Sequence, residues 1–198
     1  MEIIKLYNDK LAQYGENDFR SLNWSDKEGR SAQKRYEQMS KYVDFEKNSI
    51  FEYGCGWGSF FDFGFKCRNY VGCQNYVGYD INKNFIDIAK KKYPRRKWIT
   101  KIDSKLFQSF DLCISSGVAG NRGGPAWSPS LLKEYLHQMS LIAKKTVVNF
   151  PSNRATIRSE HVEYFSPEYV LGQALTLTEN VQLIHKYKSD FLLILSYE

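Results

Sequence analysis

The run Glu52-Tyr53-Gly54-Cys55-Gly56-Trp57-Gly58-Ser59 constrains this chain more than any other feature, together with Asp80 at the end of a second apolar run. Ser49-Ile50-Phe51 reads as a short buried strand. The glycines that follow let the backbone turn sharply and approach a ligand where a Cβ would collide. Tyr76-Val77-Gly78-Tyr79 reads as the next strand, and Asp80 sits at its carboxyl end. A carboxylate there accepts two hydrogen bonds from a ribose diol. Strand, glycine turn, helix, strand and acid describe a nucleoside-binding βαβ unit.

The spacing separates two kinds of nucleoside site. A dinucleotide fingerprint reads G-x-G-x-x-G. Here the third glycine is Gly58, which gives G-x-G-x-G, and Glu52 precedes the first glycine by two residues. This pattern, with Asp80 after the second strand, resembles the class I methyltransferases that use S-adenosyl-L-methionine (SAM). The resemblance runs from about Leu22 to the C-terminus and is similar to a group of small bacterial members. It is carried by Trp24, Ser25, Ser31, Gln33, Arg35 and Tyr36, by Tyr79-Asp80-Ile81-Asn82 with Phe85 to Ala89, by Phe110-Asp111 through Val118, and by Tyr164 to Glu168 and the C-terminal end.

The resemblance implies an α/β fold: a Rossmann-like seven-stranded sheet with helices on both faces, a terminal antiparallel hairpin and an N-terminal helical lid. Residues 1–45 would form the lid segment and 46–198 the SAM-binding domain. It implies SAM as cofactor, with S-adenosyl-L-homocysteine (SAH) as product. On this reading Glu52, Gly54, Cys55, Gly56, Trp57 and Gly58 form the cofactor turn, and Asp80 and Ile81 take the ribose. Asp103 would take the adenine amino group, Ser115 and Ser116 flank the methyl, and Trp24 and Arg35 reach in from the N-terminal segment. Arg35 is expected on the methionine carboxylate, an exposed helix arginine being the alternative, and Trp57 packs either on the cofactor or in the core.

The segment order extends the same architecture. Residues 28–42 read as a helix with Ala32, Tyr36, Met39 and Tyr42 at helical spacing, placed to cover the cofactor. A helix opens at Asn82, a weak strand runs from Lys97 to Thr100, and Phe110 to Ser116 is a fourth strand. Ser128-Pro129 and Ser166-Pro167 cap two further helices, with Thr146 to Phe150 between them. Val181 to Tyr187 and Phe191 to Tyr197 close the chain as a hairpin. The near-repeat of Asn69-Tyr70-Val71-Gly72 in Asn75-Tyr76-Val77-Gly78 reads as a slipped duplication in a loop.

Acceptor chemistry is expected over the carboxyl edge. Two loops, 118–127 and 151–165, overhang it. Arg122, Trp127 and Arg154, with Arg158, are candidates to grip a planar or anionic small-molecule acceptor, methylated on oxygen or nitrogen. His161 and Tyr164 are the candidate catalytic residues, His161 as a general base. RNA or DNA is the alternative acceptor, and a non-catalytic SAM-binding protein a second alternative. Methyltransferases acting on base amino groups carry an Asn/Asp-Pro-Pro-aromatic stretch where this chain has Ser115-Ser116-Gly117-Val118, which argues against an exocyclic amino acceptor.

Charge and cysteine content bound the rest. The 28 lysines and arginines against 22 acids leave a net +6, concentrated at Lys90, Lys91, Lys92, Arg95, Arg96 and Lys97. Such cations complement a helix C-terminus and should face away from the ligand edge; a nucleic-acid footprint is the other reading. Cys55, Cys67, Cys73 and Cys113 lack metal or disulfide spacing, and no apolar run approaches the roughly 20 residues of a membrane span. The expectation is a cytoplasmic monomer or homodimer without a metal.

Overall fold

A computed structural model describes residues 2–68, 75–121, 126–187 and 189–197. The repeat at Asn69 to Gly72, Cys73, the Cys67 side chain and Arg122 lie outside the described residues.

Seven strands form one sheet in the order β3-β2-β1-β4-β5-β7-β6. They are β1 (Ile50–Tyr53), β2 (Tyr76–Tyr79), β3 (Lys97–Ile99), β4 (Phe110–Ser115), β5 (Ala143–Pro151), β6 (Asn180–Tyr187) and β7 (Asp190–Ser196). The first five are parallel, and β7 runs antiparallel between β5 and β6. The expected fold is therefore present, terminal hairpin included.

Side-chain alternation explains why both faces are covered. Ile50, Tyr76, Leu112, Ile114, Val147, Leu192 and Ile194 share a cluster with residues of α2 (Arg30–Met39), α3 (Ser59–Arg68) and α4 (Lys83–Lys92). Their neighbours Phe51, Val77, Cys113, Val148, Leu193 and Leu195 join α5 (Pro129–Ile142) and α6 (Pro167–Ala174) on the other face. The helix starts follow the sequence signals: Asn82, Ser128 and Ser166 each accept a backbone N–H of the first turn, from Asn84, Leu131 and Tyr169.

Two features were not anticipated. An additional helix, α1 (Glu2–Tyr14), lies within the lid segment, ahead of the helix read over residues 28–42. Between β3 and β4 there is no α-helix, only a short 3₁₀ turn (Ser104–Leu106) capped by Asp103. At the amino ends of β1 and β4 the Ser49 backbone N–H and hydroxyl donate to Asp111 Oδ2 at 2.8 and 2.7 Å, while the Asp111 N–H returns to Ser49 Oγ at 2.9 Å. These bonds hold the Asp111 carboxyl below its usual range. No helix among the described residues is long and apolar enough to cross a membrane.

Candidate cofactor cavity

The strand order reverses between β1 and β4, and in open α/β sheets ligands bind outside the carboxyl ends at that switch point. A cavity of about 220 Å³ lies there, walled by the glycine turn, Asp80, Ile81, Ser116, Gly117 and Val118. The turn is shaped for close approach: Gly54 has φ 78°, and a Cβ on it would sit 2.1 Å from Val118 Cγ2. Gly56, at φ 54°, would place a Cβ 2.7 Å from Leu22.

Asp80 ties the turn to the second strand. Its carboxylate accepts the Gly56 N–H at 2.9 Å and the Asn82 N–H at 2.8 Å. Burial pushes its pKa up to about 6, against the pull of those two bonds. Glu52, also buried, accepts the Tyr76 hydroxyl. Burial and then the Asp80 charge raise the Glu52 carboxyl well above its ordinary value.

The outer wall comes from α1. Ile3, Ile4 and Tyr7 line the cavity. The Tyr7 hydroxyl accepts the Asn121 side-chain amide, and its ring meets Phe85 edge-on at 5.6 Å. Asn8 Oδ1 accepts both the Asn82 and Asn84 side-chain amides at 3.0 Å. None of these α1 residues was expected at the cofactor site. Ile3, Ile4, Tyr7 and Leu11 recur at helical spacing, and that periodicity was the available signal.

Of the residues expected around a cofactor, Trp24, Glu52, Gly54, Cys55, Gly56, Asp80, Ile81 and Ser116 line the cavity. Five expected residues do other work. Arg35 stacks on Trp24 at 4.6 Å and pairs with Asp190 at 2.9 Å, which corrects its assignment to a carboxylate of the ligand. Trp57 is buried against Phe85 and Ile88, with the Lys92 ammonium 3.9 Å from its ring centre. Gly58 makes room for Trp98, 2.8 Å from where its Cβ would lie. Asp103 is exposed, accepts the Lys105 N–H as a cap and does not line the cavity. Ser115 is fully buried between the Tyr53 carbonyl and the Tyr135 hydroxyl, both at 2.7 Å.

The acceptor loops are likewise engaged elsewhere. Arg154 pairs with Glu168, and Arg158 donates to the Ala155 and Asn153 carbonyls beside the Tyr164 ring. Tyr164 accepts the Ser159 N–H at 2.7 Å, and His161 is exposed next to Glu160. Trp127 packs edge-on against Tyr135 and Phe165 at 5.4 and 5.6 Å. None of these lines the cavity.

What the wall offers chemically is specific. Among the described lining residues there are two carboxyl groups, six aromatic side chains (Tyr7, Trp24, Tyr36, Tyr53, Tyr79, Phe85) and no lysine, arginine or histidine. The Ser116 hydroxyl is buried without a hydrogen-bond partner among the described residues. Such a wall suits a cationic ligand with a planar ring.

No family model matches the chain, and no curated protein matches it in sequence. Solved structures do match in fold. A magnesium protoporphyrin IX methyltransferase from Synechocystis PCC 6803 with bound SAM aligns over 100% of this chain and 98% of its own, with TM-score 0.66 and 12% identity. The methyltransferase domain of bacterial CtHen1 covers 83% of this chain and 98% of its own, with TM-score 0.62 and 11% identity. The PH0226 protein from Pyrococcus horikoshii OT3 covers 88% and 93%, with TM-score 0.61 and 15% identity.

Proposed function

We propose that this chain, which has the fold of the class I SAM-dependent methyltransferases, binds SAM and is an enzyme of that kind. The observation that carries the reading is the charge of the cavity. A dinucleotide brings a pyrophosphate, which calls for N–H donors and cations. SAM brings a sulfonium, which six aromatic rings and a wall without lysine, arginine or histidine among the described residues favour.

The residues present fit the group. The glycine cradle admits backbone contact where side chains would collide. Asp80 uses one lone pair of each oxygen on Gly56 and Asn82, leaving acceptor capacity for two ribose hydroxyls. Ile81 and Phe85 give apolar surface for the purine, and Trp24, Tyr36 and Ser116 flank the amino-acid end. When bound, SAM supplies a methyl carbon on a positively charged sulfur, and transfer releases neutral SAH as the acceptor gives up a proton. The chain's own part is to orient the nucleophile beside Val118 and Asn121, with positioning as the main lever. At about 220 Å³ the cavity is below the roughly 300–1,000 Å³ of ligand pockets, and an outward shift of α1 would enlarge it.

The acceptor expected from the sequence, an anionic small molecule held by arginines, loses its support with Arg154 and Arg158 turned to other partners. A compact acceptor remains compatible with the small cavity.

Titration calorimetry with SAM, SAH and NADH tests the reading. Micromolar SAM binding, about 8 kcal/mol, is expected. NADH binding in place of SAM, or no binding of either, would overturn it.

A further inference from the structure

We propose that the β3 edge of the sheet is a docking surface for single-stranded nucleic acid, contacted through its phosphates. The segment from Lys90 to Lys105 holds eight lysines and arginines and one acid, Asp103. That is +7 within a chain whose total is +6, so the remainder carries a net charge of −1.

Structural duties account for only part of this charge. Lys92 lies over the Trp57 ring and Arg96 over Phe61. Lys90 and Lys91 fall in the last turn of α4, where cations complement the helix dipole. Lys97 on the three-residue strand β3 blunts a sheet edge. Neither duty extends to Arg95, Lys101 or Lys105. All six of Lys90, Lys91, Arg95, Lys97, Lys101 and Lys105 are exposed, and none forms an ion pair among the described residues.

The topology arranges them as a track. Lys90, Lys91, Arg95 and Lys97 lie at the amino edge, where α4 hands over to β3. Lys101 and Lys105 follow the carboxyl end of β3, on the connection that carries no α-helix. The register pairs Tyr79 with Ile99, so Lys101 and Ile81 each emerge two residues past that pair. Ile81, 48% exposed, is also part of the cavity wall. The charge expected to face away from the ligand edge therefore continues along the edge strand to the cavity. Phe107, 39% exposed on the same connection, and Ile81 add apolar faces. Only an unpaired strand presents base faces to such groups, which is why a single strand is the occupant.

This surface stands independently of the methyl-transfer reading, and its test omits the cofactor. Fluorescence anisotropy would follow a labelled 20-nucleotide single-stranded RNA at 50 and 200 mM salt. With about six phosphates neutralised, affinity should drop about 300-fold between those two salt concentrations. The triple variant K97E/K101E/K105E should lose at least tenfold in affinity and lower the log–log salt slope by about two. K34E/K41E/K186E makes the same charge change on exposed lysines elsewhere and should lose less than threefold. K90E/K91E/R95E provides a second disruption should the first lower the melting temperature. Absence of RNA binding at 50 mM salt, equal losses in the patch and control variants, or binding to phosphatidylserine vesicles without binding to RNA would each overturn the proposal.

Discussion

The Asp80 carboxylate accepts the Gly56 N–H at 2.9 Å, so the acid ending the second strand grips the glycine turn that follows the first. The cavity is thereby assembled before any ligand arrives. The cost is a carboxyl held in a poorly solvated place, with its pKa pushed up to about 6.

That cost has a sign. The ordinary value is 3.8, so the folded state holds the Asp80 proton more tightly than the unfolded chain does. The associated stability is full below about pH 4, falls as pH rises to about 6, and stays lost above. Asp80→Asn should flatten the pH dependence of stability over that window. The same variant should bind SAM at least tenfold more weakly, and wild-type affinity should fall as pH drops through 6. Thermal unfolding and calorimetry between pH 4.5 and 8 check both; a pH dependence that Asp80→Asn leaves unchanged would contradict the assignment.

The two cavity glycines should differ in tolerance. At Gly54 a new methyl meets the stiff, branched Val118 side chain as well as a positive φ. At Gly56 it meets the mobile end of Leu22 in a conformation nearer the allowed left-handed region. Gly54→Ala should cost about 2–3 kcal/mol and Gly56→Ala about 1. Adding Val118→Ala to Gly54→Ala should recover part of the loss, measurable by urea unfolding. Absence of any rescue would place the strain in the backbone alone.

Removing the ties of α1 should change ligand exchange more than folding. Tyr7→Phe deletes the oxygen that accepts the Asn121 amide, and Asn8→Ala deletes the acceptor for Asn82 and Asn84. α1 contributes no fully buried residue, so the core should tolerate the pair. Stopped-flow fluorescence, with Trp24 in the cavity wall as reporter, should show SAM release accelerated about tenfold. An unchanged release rate would mean α1 is a fixed wall rather than a lid.

Arg35 and Asp190 form a pair that is mostly out of water, with side chains 18% and 3% exposed. Breaking such a pair from one side leaves an uncompensated charge and costs about 3–5 kcal/mol. Arg35→Met and Asp190→Leu should each destabilise by roughly that much. The double variant should lose far less than the sum, giving a coupling energy of about 2 kcal/mol in chemical denaturation. Additive losses would mean the two groups do not interact.

Strand positions, helix caps and the glycine turn were legible because each rests on local rules: the short apolar runs of β1 and β2, Ser-Pro starts at 128–129 and 166–167, and the spacing from Glu52 to Asp80. What escaped was decided at a distance. Arg35 meets a partner 155 positions later, a choice set by β7 packing beneath α2 rather than by any motif. Asp103 resembled a ligand contact, but without an α-helix between β3 and β4 it caps a 3₁₀ turn instead. Arg154 and His161 lie in a loop whose path is set by the Arg154–Glu168 pair and by isolated bridges at Asn121–Val162 and Ser152–Phe165. α1 was overlooked for a different reason. Its apolar stripe is weak and fully buries no residue, so it resembles a solvated helix until Asn82, Asn84 and Asn121 are seen to hold it.

The Ser49–Asp111 clasp joins strands whose residues are 62 positions apart, and it lies on the seam between two halves of the sheet. The first half, β1 to β3, closes through short local crossovers, while β4 to β7 zip together around their own hairpin. Docking of these halves requires a long-range loop closure. The cavity straddles the same seam, with Gly54 and Asp80 from one side and Ser116, Gly117 and Asn121 from the other. A small molecule seated there works as a staple across the join. It would govern how long the two halves stay married, and a chain severed between them would need that guest to reunite.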